Sequence, residues 1–311
     1  MTYTFKRATR ESVGLLIGLI SPSGGGKTYS AMRLASGIVG AGNPFAVIDT
    51  EARRALHYAD MFTFDHCELP PPFTPDAYAD AIRAADKAGY GAIVVDSCSH
   101  EWAGEGGVLD MQENELTRMA GDDYRKRENC KMAAWIKPKM QHKKMVQRLL
   151  QSHAHLILCF RAEEKVKMEK GPDGKTRIVP IGWQPVCSKE MPYELTVSFL
   201  LSPDKPGIPQ PMKLQEQHKG IFHMDKLLDE SCGKKIAEWA KGGTTTKPAP
   251  STVPPAENRS EGNVEGQSTL FDGGKGSAKA IKCPNKDNKW RPITDCQKCD
   301  MRKGCPAHEA A

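Results

Sequence analysis

One segment narrows the possible folds of this 311-residue chain more than any other. Ile17 to Ile20 is a short apolar run that leads directly into Ser21-Pro22-Ser23-Gly24-Gly25-Gly26-Lys27-Thr28. Residues 28–39 then carry helical patterning. Successive backbone N–H groups can point into one concavity only where Cβ atoms do not intrude, and three consecutive glycines meet that condition. A helix starting at once adds the positive end of its dipole. This order matches the phosphate-binding P-loop pattern of Gly, four residues and Gly-Lys-Thr, with Ser21 in place of the first Gly. In such a loop Lys27 contacts the β- and γ-phosphates and the Thr28 hydroxyl ligates Mg²⁺. A Gly-rich turn that binds nothing explains the glycines, but not the Lys-Thr pair or the flanking elements.

The rest of the first 241 residues reads as one α/β unit. Strand-like runs at 15–20, 45–49, 92–96 and 156–160 alternate with helical stretches at 28–39, 75–88 and 139–152. Short, fully apolar strands separated by helices predict a mainly parallel sheet covered on both faces. Residues 165–224, punctuated by Pro and Gly, are expected to add antiparallel strands at the sheet edge, such as 196–201. Residues 226–241 are expected to form a closing helix.

Two strand ends carry chemistry. Ala92-Ile93-Val94-Val95-Asp96-Ser97 is an apolar strand ending in a carboxylate, the form of a Walker B element that holds Mg²⁺ through water. Phe45-Ala46-Val47-Ile48-Asp49-Thr50-Glu51 ends in Ile-Asp-x-Glu, 24 residues after Lys27. Here the chain resembles the RecA-like P-loop ATPases. That resemblance makes Glu51 the carboxylate that polarises the attacking water; the alternative is a charge placed at a helix N-terminus. The likeness is closer still to phage-encoded RecA-core "AAA family ATPases", similar to the Sak-type single-strand-annealing ATPases. It rests on Ser21–Thr28 with Tyr29-Ser30-Ala31, on residues 47–51 and 91–97, and on Ser99-His100-Glu101-Trp102-Ala103-Gly104-Glu105-Gly106-Gly107. It spans about residues 5–225 and implies a RecA-like fold, ATP binding and a role in DNA recombination or replication. Ser23, Gly24, Gly25, Gly26, Lys27, Thr28 and Tyr29, with Asp96, are then the nucleotide-binding candidates. Arg161, at the end of the 156–160 run, joins them as a phosphate sensor, or is a surface arginine at a strand end. No Ser/His/Asp or Cys/His nucleophile arrangement stands out.

With 39% hydrophobic and 26% charged residues, full disorder is excluded. The net charge is +6 and it is uneven. Residues 275–303 hold nine Lys or Arg against three Asp, and residues 125–148 hold nine against Glu128 alone. Two such clusters suggest a polyanionic partner, single-stranded DNA in this family context, although charged helix faces are often only solvated.

From residue 242 to 281 the composition shifts to Gly, Thr, Pro, Ser and Glu, which reads as a flexible linker. Within it, Gln267-Ser268-Thr269-Leu270-Phe271 resembles peptides that dock on bacterial sliding clamps. Residues 282–311 read as a small module. Cys283, Cys296, Cys299 and Cys305, separated by twelve, two and five residues, are the expected ligands of Zn²⁺; an Fe–S cluster, disulfides or free thiols are the alternatives. A homo-oligomer is expected, as are contacts with a single-strand-binding protein or annealase. Lys6, Arg7, Arg10 and Glu11 lead straight into a strand-like run with no signal-peptide pattern, so a cytoplasmic location (the host's, for a phage chain) is expected. The rival reading is a non-catalytic, nucleotide-gated loader or adaptor that recruits a recombinase, helicase or clamp. A metabolite kinase fits less well, because no lid-like Arg cluster is evident.

Overall fold

The computed structural model describes residues 14–170, 174–242, 280–282 and 290–292. The chain divides into two units, Met1–Lys247 and Pro248–Ala311. In the second, a strand Ala280–Lys282 pairs antiparallel with Trp290–Pro292. The clamp-like peptide and all four cysteines of the proposed metal module lie outside the described residues.

The first unit is built on an eight-stranded sheet. In chain order its strands are β1 (Leu16–Ser21), β2 (Phe45–Asp49), β3 (Phe64–Glu68), β4 (Ala92–Asp96), β5 (His155–Lys170), β6 (Thr176–Pro185), β7 (Val197–Leu201) and β8 (Pro209–Lys213). Their spatial order is β3-β2-β4-β5-β1-β7-β8, with β6 paired to the far half of β5. β3, β2, β4, β5, β1 and β7 are parallel. The chain therefore has a mixed α/β fold with a mostly parallel sheet, as P-loop nucleotide-binding proteins do.

Alternate strand residues enter opposite layers. Ile17, Leu19, Val47, Val94 and Ile157 pack against α1 (Lys27–Val39) and α8 (Glu230–Ala240). Leu16, Ile20, Ile48, Ile93 and Leu158 pack against α2 (Pro75–Lys87) and α6 (Ile136–Leu149). Coverage on both faces is why β1, β2 and β4 are buried at every residue. Between β4 and α6 run α3 (Ser99–Ala103), α4 (Val108–Ala120) and α5 (Tyr124–Cys130). The short α7 (Met191–Glu194) precedes β7. No helix among the described residues is long and apolar enough to cross a membrane.

Two expectations are corrected. The 156–160 run is only the buried start of β5, which continues to Lys170 and forms an exposed antiparallel ribbon with β6. Its outer half alternates in charge and has no sheet neighbour except β6. Residues 197–201 are not antiparallel to the sheet: β7 runs parallel to β1, and only β8 reverses against β7. The ribbon and α7 return the chain to the starting end of the sheet before β7 begins. The closing helix starts at Glu230, capped by the Asp229 carboxylate, which accepts from Ser231 N and Cys232 N.

α8 crosses α1 in close contact because both present glycine there. A Cβ on Gly37 would lie 2.1 Å from the Glu230 carbonyl oxygen, and one on Gly233 would lie 2.2 Å from that of Leu34. Bidentate pairing of Arg33 with Glu230 secures the crossing. Gly37→Ala or Gly233→Ala is expected to lower stability by about 1–3 kcal/mol in urea unfolding. Gly220→Ala, where a Cβ meets nothing within 4 Å, is expected to change it by less than about 0.5 kcal/mol.

Candidate nucleotide site

At the C-terminal ends of β1, β2 and β4 and of the parallel half of β5 lies a cavity of about 790 Å³, a size that suits a nucleotide. One wall is the loop before α1: Ser21, Pro22, Ser23, Gly24 and Gly26, then Lys27, Thr28 and Tyr29. Glu51, Asp96 and Arg161 face it, and Arg54, His57 and Tyr58 close the side. Of the predicted nucleotide residues, only Gly25 does not line the cavity.

Gly25 serves the loop from beneath. A Cβ there would sit 2.1 Å from Ser21 Oγ and 2.3 Å from the Leu201 carbonyl oxygen. Ser21, which replaces the first Gly of the motif, is buried below the loop and donates to the Pro22 carbonyl at 2.7 Å. Gly24 and Gly26 have φ of 85° and 81°, a region open to glycine at little cost. The glycines thus meet two separate demands, left-handed backbone and close packing on β7.

Asp96 is 4% exposed. Thr28 Oγ1 donates a short hydrogen bond to its Oδ2, and Lys27 Nζ stands 3.8 Å from Oδ1. Burial drives the Asp96 pKa up, against the pull of Lys27 and Thr28. Its Oδ1 has no hydrogen-bond partner among the described residues. A buried carboxylate oxygen left unpaired beside a hydroxyl fits Mg²⁺, which takes one or two protein oxygens and fills its remaining positions with water and phosphate. Among the described residues no cluster of three or more His, Cys, Asp or Glu could form a fuller metal cage.

Glu51 reaches the cavity through a turn that Asp49 holds. The Asp49 carboxylate accepts from Glu51 N at 2.7 Å and Ala55 N at 3.0 Å, and Ala52 and Arg53 between them adopt positive φ. Glu51 is not free. Arg161 donates Nε and both oxygens are reached by its second nitrogen, at 2.8–3.0 Å. Burial acts to raise the Glu51 pKa, but the Arg161 hydrogen bonds and charge, with His100 and Lys27, outweigh it and hold the carboxyl below its usual range. Arg161 therefore lines the cavity from within β5, where that strand leaves the parallel sheet, and not at a strand end, and its partner is the carboxylate.

Sequence reasoning missed the cavity's aromatic side. Tyr29 lies 5.9 Å from Tyr58 and 5.6 Å from Phe62, ring to ring. Only α1 patterning and the short helical turn after Glu51 bring them together, 29 or more positions apart. Sequence reasoning also missed a buried chain behind the site. His142 lies between Glu101 Oε1, 2.9 Å from Nδ1, and Ser188 Oγ, 2.8 Å from Nε2. Ser188 is 2% exposed and also accepts from Met191 N, so this Ser–His–Glu set ties α3, α6 and α7 together and is closed to substrate.

The basic block at 125–148 is largely neutralised. Lys126, Arg127, Lys131, Lys137, Lys144 and Arg148 pair with Asp123, Glu113, Glu128, Glu115 and Asp76. Arg125, Lys139 and Lys143 form no ion pair among the described residues.

The Glu51–Arg161 pair predicts a pH signature. A carboxyl titrating below the ordinary glutamate value of 4.5 adds stability above that value, and the contribution disappears as pH falls through the lowered one. Arg161→Met is therefore expected to lower stability at neutral pH and to reduce its acid-side slope, read by urea unfolding at stepped pH.

No curated protein matches the chain. A family model described as AAA domain matches residues 14–199, which takes in β1 with its glycine loop, both acidic strand ends, Arg161 and the ribbon. The chain belongs to this AAA-domain family of P-loop ATPases.

Proposed function

We propose that this chain binds and hydrolyses ATP with Mg²⁺, and that it acts on single-stranded DNA in phage recombination or replication. One observation carries the chemical part: Lys27 and Thr28, Asp96, and Glu51, from three separate segments, converge on one cavity. Loop N–H groups and Lys27 hold the phosphates. Thr28 and Asp96 hold Mg²⁺, which when bound neutralises charge on the phosphate oxygens. Glu51 accepts a proton from the attacking water as that water's oxygen bonds to the terminal phosphorus and the bond from that phosphorus to the bridging oxygen breaks, with ADP as the leaving group. Tyr29 and Tyr58 offer aromatic faces for the nucleobase.

A second reading has its own support. Arg161 hydrogen-bonds both Glu51 oxygens, which turns them toward the guanidinium and away from a water at the phosphates. A nucleotide-gated loader that binds ATP with little turnover fits that arrangement.

DNA binding is supported by the net positive charge of residues 275–303, given that ion pairs absorb most of the other basic block. The Cys283, Cys296, Cys299 and Cys305 spacing supports bound zinc, and Gln267–Phe271 supports docking on a clamp. An oligomer is supported by the family resemblance.

Lys27→Ala is expected to abolish ATP binding or turnover. Glu51→Gln is expected to keep binding and lose turnover by about 100-fold or more, measured as phosphate release with and without single-stranded DNA. A Glu51→Gln chain with normal turnover removes Glu51 as base. Wild-type protein that binds ATP tightly and does not turn over, with DNA or without, favours the loader. Deletion of residues 242–311 is expected to weaken salt-sensitive DNA binding and spare basal turnover. Metal analysis finding about one zinc per full chain supports the module, and none removes it.

A further inference from the structure

His100 sits on α3, immediately past the Walker B strand, and its side chain is 14% exposed. Its ring is fixed on two sides. It stacks on Phe73, with centroids 5.0 Å apart and planes 28° apart, and its Nδ1 lies 2.8 Å from Thr50 Oγ1. That hydroxyl already accepts from Ser97 N at 2.8 Å. Its own proton has two places to go, the Ser97 carbonyl at 3.1 Å or His100 Nδ1, which is nearer. A proton given to Nδ1 leaves the imidazole hydrogen on Nε2. Nε2 is the atom that faces Glu51, 3.9 Å from Oε1. The other tautomer would turn a lone pair toward a carboxylate.

Three charged groups surround this ring: Glu51 from the β2 turn, Arg161 from β5 and Lys27 from α1. Burial and the two cations lower the imidazole pKa, while Glu51 opposes them. The ring is therefore neutral near pH 7.

At 3.9 Å there is no hydrogen bond from Nε2 to Glu51, and Arg161 satisfies both oxygens. Hydrolysis needs a Glu51 oxygen turned to the attacking water, and the Arg161 hydrogen bonds hold both oxygens toward the guanidinium instead. Released, the Glu51 side chain needs a new partner, or it will sample rotamers away from the water. Two neighbours are already within reach: Arg54 Nη1, 3.8 Å from Oε2 and on a largely exposed side chain, and His100 Nε2, fixed in place and aimed at Oε1.

We propose that His100 is a positioning residue for hydrolysis: its Nε2–H holds Glu51 Oε1, directly or through one water, once Arg161 turns from the carboxylate to the phosphates. The other Glu51 oxygen is then left to accept the proton of the attacking water. The inference rests on the ATPase reading above and names how its base is kept in place.

The test uses the full chain with ATP and Mg²⁺. His100→Phe keeps the ring stacking and removes both nitrogens. Its kcat is expected to fall about 10- to 100-fold, with KM and the affinity for a non-hydrolysable ATP analogue within about twofold of wild type. His100→Gln places an N–H near the Nε2 position and is expected to recover to within about fivefold of wild-type kcat. His100→Asn places its amide near Nδ1, keeps the Thr50 contact and lacks the forward donor, so it is expected to stay as slow as His100→Phe. The Gln–Asn contrast stands even where the Phe variant does not fold. Equal rates for Gln and Asn, normal kcat for Phe, or a loss confined to KM each overturn the role. Wild type that binds ATP without turnover while Glu51→Gln behaves identically defeats the ATPase reading and this inference together. Normal wild-type turnover that is lost in Glu51→Gln but unchanged in all three His100 variants defeats this inference alone.

Discussion

A carboxylate withdrawn from water costs several kcal/mol unless charges and donors replace its hydration. Asp96 is such a group, buried at the end of β4 and compensated by residues from another strand-loop-helix segment. The Thr28 hydroxyl and the Lys27 ammonium reach it across the strand β5 that lies between β1 and β4. The pairing ties the start of α1 to the acidic strand end, so the glycine loop and the Asp96 carboxylate keep a fixed separation. Asp96 Oδ1, beside the Lys27 ammonium, still accepts no hydrogen bond among the described residues.

Sheet order decides what else meets there. Because β5 is inserted between β1 and β4, the end of its parallel half opens into the same crevice. Ligands collect outside the carboxyl ends of parallel strands for this reason. Arg161, at that end, is both the partner of Glu51 and the root of the β5–β6 ribbon. A displacement of the ribbon is thus mechanically close to Glu51. The Glu101–His142–Ser188 chain adds a second tie, from the segment after β4 through α6 to the stretch that follows β6. The site and the ribbon share two polar links, and each is specific in direction as hydrophobic packing is not.

The glycines illustrate how one residue type answers different constraints. Gly24 and Gly26 supply left-handed backbone, whereas Gly25 supplies room, because Ser21 Oγ and the Leu201 carbonyl stand where its Cβ would be. Ser21 in place of the motif's first Gly is accommodated by being turned under the loop. Gly37 and Gly233 serve neither turn nor ligand; they let two helix backbones approach until α8 seals the α1 layer.

Much of this was legible in the residues alone. β2 and β4 end where their apolar runs end in Asp, since a strand covered on both faces must be apolar throughout and its first charged residue marks the rim. That the loop, Lys27, Thr28, Asp96 and Glu51 lie at the ends of neighbouring strands was legible from backbone conformation and local order. What could not be read there depends on where distant segments meet. Whether β7 runs parallel or antiparallel is set by the path of the chain before it, not by its five residues. Arg161 is paired with Glu51 across 110 positions, and no local pattern specifies such a partner. The neutralised cations at 125–148 make the same point: sequence counts charges, but only packing against α2 and α4 decides which remain uncompensated. The sequence by itself determined the loop, the acidic strand ends and the layered class, because those follow from local conformation and burial. Tertiary structure alone decided which carboxylate is held, by what, and toward which neighbour it can turn.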